Sequence, residues 1–321
     1  MESSTLKQVV LCGAGALGAT YAERFFALDP ACIAIVAGGE RRARIEREGL
    51  TVDGRTVHPR CLEPGGTAEP ADLLLVGVKQ HHLAQAIDDV RGYVGDRTII
   101  VSLLNGISSE EILGRAFGAE KLLNAFVVGI DAVREDGVVR YSSIGRLVFG
   151  ARSGDRTDPR VLAVRALLER AAIPYEIPED IVHAQWWKFM LNVGGNQVSA
   201  VLRAPFGALA TVPEVRELTR LAALEVMAVA PHEGVHLTET DLEAVFALIA
   251  RLGPDGKTSM LQDVEAGRKT EVEIFAGTVV ELGRRHGVPT PVNAMLGQML
   301  AGLEGIARAR RDIERMTSQK G

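Results

Sequence analysis

The stretch "VVLCGAGALGATYAERF", residues 9–25, joins an apolar run, a glycine cluster and an amphipathic segment in that order. The spacing of Gly13, Gly15 and Gly18 is G-x-G-x-x-G, set between an expected strand and an expected helix. That context is what the cradle for a dinucleotide pyrophosphate requires. Gly13 permits the tight turn, Gly15 lets the backbone approach the phosphates, and Gly18 lets helix and strand pack closely. Ala14, Ala16 and Leu17 complete the loop, and the helix start adds backbone N–H groups and a positive dipole end. The plainer alternative is a glycine-bearing turn in some other α/β protein, and the flanking strand and helix weigh against it.

The rest of the first half continues the pattern. "CIAIVA", "ADLLLVGVK" and "TIIVSLLNG" read as buried parallel strands separated by amphipathic segments. "NAFVVGIDAV", "GVVRYSS" and "GRLVFGA" read as three further strands, followed by a helix from Asp158 to Ala171. After Pro174 and Pro178 nearly everything has helical periodicity. Helices are expected near 181–202, 213–230, 239–251, 258–266 and 270–286, with a last one after Pro291. The division is therefore an α/β domain over residues 1–178 and an all-helical domain over 179–321.

Composition excludes several classes of function. With 47% hydrophobic and 24% charged residues, the chain is an ordinary globular one. A net charge of −5 gives no reason to expect nucleic acid or an anionic membrane as partner. The three cysteines (Cys12, Cys32, Cys61) lack metal-ligand spacing and read as reduced. The N-terminal residues do not read as a signal peptide, so a cytoplasmic location is expected.

In "WWKFMLNVGGNQVSAVL", residues 186–202, Lys188, Asn192 and Asn196 recur every four residues within an apolar segment. On a continuous α-helix such residues are turned by ~40° and lie ~6 Å apart, so the three make a polar ridge on one face. A lysine that snorkels beside backbone-bonded asparagines is the bland reading. Buried amides need partners, however, and Gly194 and Gly195 weaken the helix at a cost that close approach of a ligand would explain.

These pieces together resemble the ketopantoate reductase (2-dehydropantoate 2-reductase) family over essentially the full length. The matching motifs are "GAGALG" at 13–18, "VGVKQ" with Lys79, "LLNGI" with Asn105, "WKFMLNVGGN" at 187–196 and "SMLQDVEAGRKTEVE" at 259–273. The resemblance implies a Rossmann domain followed by a helical domain of the 6-phosphogluconate dehydrogenase C-terminal type. It also implies NADPH-dependent reduction of ketopantoate to pantoate, a step of pantothenate and coenzyme A biosynthesis. Lys188 would donate the proton, and Asn192, Asn196 and Ser259 would help bind the substrate. Asn105 would touch both nicotinamide and substrate, Lys79 the cofactor, and Glu271 would sit near both. The substrate site is expected where Asn105 of the first domain meets Lys188 and Ser259 of the second. The expected partner is a small 2-oxo acid, with a homodimer as the assembly considered.

Three positions depart from the family pattern. Gly38 stands where an arginine often grips the 2′-phosphate, Gln197 where a proline often follows the ridge, and Phe206 where some members carry a substrate-binding asparagine. The last two are expected to alter the pocket wall. Arg41 and Arg42, close to the end of the second strand, still favour NADP over NAD. Two rivals stay open: a reductase of another 2-oxo or hydroxy acid, and a cofactor-binding sensor without catalysis. "HEGVH" at 232–236 has the H-E-x-x-H spacing, but Pro231 and Gly234 argue for a helix end. "DGKTS" lacks the first glycine of a P-loop. His81 and His82 read as a surface pair, and Trp186 and Trp187 as helix packing.

Overall fold

The computed structural model describes residues 5–318, with side chains described to residue 313. The chain forms two compact units, one ending at Gln185 and one beginning at Trp186.

The first unit runs β1 (Val9–Cys12), α1 (Ala16–Leu28), β2 (Ile33–Val36), α2 (Gly39–Glu48), β3 (Leu50–Val52), β4 (Arg55–Val57) and β5 (Arg60–Leu62). It continues with β6 (Leu73–Val76), α3 (Leu83–Val90), β7 (Ile99–Ser102), α4 (Ser109–Phe117), β8 (Leu122–Glu135), β9 (Val138–Gly150), α5 (Pro159–Arg170) and β10 (Tyr175–Glu176). The strand order is β4-β3-β9-β8-β7-β6-β1-β2-β5, with β10 beside β9. β1 lies between β2 and β6 and pairs in parallel with both. All of its residues are buried, which is why it reads as an unbroken apolar run.

Alternate strand residues feed opposite faces. Leu11, Ile35, Leu75 and Val101 join Phe25 of α1 and Val164 of α5 in one core. Val10, Leu74 and Ile100 join Ile87 of α3 and Leu113 of α4 in the other. This Rossmann-type sheet agrees with the reading of the sequence, with local differences. "GVVRYSS" and "GRLVFGA" are a single strand, β9, paired antiparallel with β8 as a long hairpin. Strands β3 to β5 were not expected, because their apolar residues are few. The β3–β4 turn nevertheless carries a legible signal, since Asp53-Gly54 takes positive φ at both residues, as a two-residue hairpin demands.

α6 (Ile181–Leu191) crosses from one unit to the next. The helical unit then contains α7 (Gln197–Leu202), α8 (Phe206–Thr211), α9 (Pro213–Val229), α10 (Glu239–Ile249), α11 (Ser259–Glu265), α12 (Ala276–His286) and α13 (Pro291–Ser318). Two of the expected helices are broken. Residues 181–202 are not one α-helix, because a π turn at Asn192–Asn196 separates α6 from α7. The 270–286 segment holds a 3-10 turn, Val272–Ile274, before α12. The short α8 went unread.

A polar network fastens the helices of this unit. The Glu225 carboxylate on α9 accepts from the backbone N–H of Val292 (2.8 Å) and of Asn293 (2.9 Å), capping the first turn of α13. Asn293, wholly buried, donates to Glu225 (2.7 Å) and to the Ala222 carbonyl (3.1 Å). Gln197 donates to Asn293 Oδ1 at 2.9 Å. Among the described residues, no helix is long and apolar enough to cross a membrane.

Candidate active site

The glycine loop has the geometry its spacing implies. Gly13 has φ +105°, and a Cβ there would lie 2.5 Å from the Gly77 backbone. A Cβ on Gly18 would lie 2.1 Å from the Gly13 carbonyl oxygen, so helix and loop meet there at a distance only glycine allows. At Gly15 an added Cβ would meet no protein atom within 4 Å. Gly15 is also the exposed N-cap of α1, and no side chain caps that helix start. The backbone N–H groups of the loop and first turn are thus available to an anion, and the residues fit a dinucleotide pyrophosphate.

Around the loop the charges are distributed differently from expectation. Arg42 is engaged by Glu46 (2.7 Å) and Glu63 (2.6 Å), which removes it as a ready phosphate ligand. Arg41 is exposed on the first turn of α2. At Gly38 a Cβ would approach the Pro64 ring to 3.0 Å, so a longer side chain would be forced against that proline. Arg134, on β8, went unremarked in the sequence, yet its Nη1 donates to the Ala14 carbonyl inside the glycine loop. Lys79 is exposed at the start of a 3-10 turn, and Asn105 is half-buried in the loop after β7.

A second cluster in this unit was also missed. Burial pushes the Glu110 carboxyl above the usual range, against the hydrogen bonds that hold it. Those come from Ser109 Oγ (2.9 Å) and Gln185 Nε2 (2.7 Å). Gln185 Oε1 in turn accepts from Asn124 Nδ2 at 2.9 Å. The cluster fastens the α6 residue three positions before Lys188. Its only signal in the sequence is a pair of adjacent acids after an Asn-Gly turn, which is indistinguishable from a solvated helix start.

On the helical unit, Lys188 is half-buried in the last turn of α6. Burial alone lowers its pKa from 10.5 to about 8. Among the described residues its ammonium has no ion-pair or hydrogen-bond partner, and neither do the side chains of Asn192 (3% exposed) and Asn196. The π turn lies between the two asparagines, so the ridge is not the straight α-helical row that the spacing suggested. π turns are frequent at functional sites. Gly194 has another explanation than ligand approach. A Cβ on Gly194 would stand 2.9 Å from the Thr219 carbonyl oxygen, so this residue admits α9.

Ser259, exposed, opens α11, which packs against α7 and the π turn. Thr258 just before it is fixed by a 3.1 Å bond to Ser199 Oγ. Glu271 is buried at the head of the 272–274 turn. Two departures from the family pattern have partners within the helical unit. Gln197 is wholly buried, donating to Asn293 and to the Val193 carbonyl (2.8 Å), and Phe206 packs on the Gly256 turn. Trp186 packs edge-on to Phe189, and Trp187 donates to the Asp241 carbonyl at 2.9 Å. α9 ends before "HEGVH", whose His232 stacks on His286 and whose Glu233 bonds His286 Nε2 at 2.7 Å. His81 and His82 are an exposed pair on the 3-10 turn after Lys79.

Comparison with known proteins decides the family. Residues 9–154 match the family described as "Ketopantoate reductase PanE/ApbA", and residues 180–304 match its C-terminal counterpart. The chain belongs to the ketopantoate reductase family. A curated relative from Halobacterium salinarum, named 2-dehydropantoate 2-reductase, is 30% identical over 301 residues, covering 91% of this chain and 97% of that protein. The crystal structure of a PanE/ApbA family ketopantoate reductase from Ralstonia eutropha has a TM-score of 0.81 at 25% identity, covering 94% of this chain and 99% of that one. D-mandelate dehydrogenase, solved with NADH and anilino(oxo)acetate, shares the fold with a TM-score of 0.83 at 19% identity, over 94% of this chain and 99% of its own. The ketopantoate reductase family is one of oxidoreductases, with a Rossmann unit followed by a helical one.

Proposed function

We propose that this chain reduces a small branched 2-oxo acid, ketopantoate, to the 2-hydroxy acid pantoate, using NADPH. The observation that carries the proposal is the Lys188 ammonium, half-buried and, among the described residues, without a carboxylate partner beside two amides that also lack partners. A buried cation without a counter-charge is costly, and a substrate carboxylate together with a developing alkoxide would offset that cost.

A reduced nicotinamide supplies the hydride when bound. The glycine loop, residues 13–18, would hold its pyrophosphate, with Lys79, Asn105 and Glu271 fixing the nicotinamide half. Lys188 would attract the substrate carboxylate, stabilise negative charge on the former ketone oxygen, and give that oxygen its Nζ proton. With a pKa of about 8 it is still mainly protonated near neutrality, and a better acid than an exposed lysine. Asn192, Asn196 and Ser259 would orient the remaining polar atoms of the substrate. Support for NADP rests on Arg41 and on the absence of an acid at the end of β2.

The test is loss of reduced-nicotinamide absorbance by purified protein with a panel of 2-oxo acids, aliphatic and aromatic, and with NADPH and NADH in parallel. Highest kcat/KM with ketopantoate and NADPH is expected. Preference for another 2-oxo acid would reassign the substrate, and no turnover with any would favour a sensor.

A further inference from the structure

The first turns of α2, the glycine loop and the β8–β9 hairpin bring several arginines close together, and their partners separate them into two groups. Arg42 is held by Glu46 and Glu63, and Arg47 by Glu48 at 2.6 Å. Arg41, Arg44 and Arg134 have no carboxylate partner among the described residues. Arg134 is fixed by its bond to the Ala14 carbonyl. Desolvation lowers its pKa, and repulsion from Arg41 and Arg44 lowers it further, so the three charges are near enough to act on one another. Uncompensated cations gathered beside an anion-binding loop oppose folding unless an anion joins them.

We infer that Arg134, with Arg41 and Arg44, grips the 2′-phosphate of the dinucleotide. The hairpin thereby supplies a guanidinium that position 38, a glycine where a Cβ would come within 3.0 Å of the Pro64 ring, does not. The placement fits the chemistry. The glycine loop takes the pyrophosphate, the end of β2 and the start of α2 take the adenosine ribose, and Arg134 reaches from β8 to the loop between them. A planar guanidinium anchored through one N–H keeps others for a phosphate. This inference rests on the reading that the loop holds a nicotinamide dinucleotide.

The experiment is titration calorimetry of the unmodified protein, Arg134→Gln, Arg44→Gln and Arg47→Gln. The probes are NADPH, NADH, adenosine 2′,5′-bisphosphate and adenosine 5′-monophosphate, and each variant is checked for an unchanged melting curve. Arg134→Gln is expected to weaken NADPH and the bisphosphate by about 10–100-fold while NADH and the monophosphate stay within about three-fold. Arg44→Gln should act in the same direction, by less, and it carries the test should Arg134→Gln fail to fold. Arg47→Gln, already ion-paired, should change neither. Equal weakening of NADPH and NADH would move Arg134 to the pyrophosphate and overturn the inference while leaving the proposed function intact. Unchanged affinities would overturn it as well. If the unmodified protein bound none of the probes, the reading of the loop itself would fall with it.

Discussion

Two sets of buried or half-buried polar side chains in the helical unit, only residues apart, are treated in opposite ways. Glu225, Asn293 and Gln197 bond one another and the first turn of α13. Lys188, Asn192 and Asn196 have no partner for their side chains among the described residues. The first set stabilises the fold, since Glu225, Asn293 and the amide nitrogen of Gln197 exchange water for protein partners, and only Gln197 Oε1 is left without one among the described residues. The second set costs stability, and a ligand is the partner that would account for it. The rule that follows is simple: removing a member of the first set should cost stability, and removing one of the second should cost activity.

Lys188→Met gives the sharpest separation. Turnover with the best 2-oxo acid should fall by ~10²–10⁴-fold or more while NADPH affinity stays near that of the parent. The variant should also melt higher. Below about pH 8 the fold holds a lysine whose pKa has dropped from 10.5 to about 8, worth on the order of 3 kcal/mol against folding. Stability of the parent should therefore rise as pH climbs from about 8 to 10.5, where the unfolded chain binds more protons, and the variant should lack that rise. A variant that melts lower and turns over within a few-fold of the parent would erase the distinction.

Glu225→Ala is the mirror image. It strips the cap from α13 and strands Asn293, so denaturant unfolding should show a loss of about 3 kcal/mol. The kcat of the folded variant should stay within a few-fold. A smaller effect is expected of Asn192→Ala, with kcat/KM about ten-fold lower through one lost substrate hydrogen bond, and a melting temperature unchanged or raised. If its melting temperature fell instead, Asn192 would belong with the structural set. The smallest effect is on the pH profile. The rate should fall by roughly four-fold between pH 7 and 8.5 as Lys188 loses its proton. The alkaline limb should vanish in Lys188→Arg, whatever its residual rate, because arginine stays protonated.

The Rossmann core was legible because its strands are buried on both faces and so read as continuous Val/Ile/Leu runs, with Gly13 and Gly18 where only glycine fits. Lys188, Asn192 and Asn196 were legible because polar residues at regular spacing stand out in an apolar segment. The π turn between the asparagines was not, since no residue type demands one, and Gly194 serves helix contact with α9 rather than a ligand. Arg134 and Gln185 escaped for a different reason. Their importance comes from contacts 120 and 75 positions away, at Ala14 and Glu110, and nothing local marks them.

In genetic terms the π turn is a one-residue insertion held inside a helix. Every residue of α7 is therefore one step out of phase with the periodicity of α6. Closing the segment into an unbroken α-helix with every residue kept would instead rotate α7 by ~100° about its axis. Gln197 would then swing away from Asn293 and Val193, and the Ser199 contact with Thr258 would go with it. A change that straightens the helix without shortening the chain would dismantle the packing around it, whereas loss of one residue within the turn would leave α7 in phase and alter the turn alone.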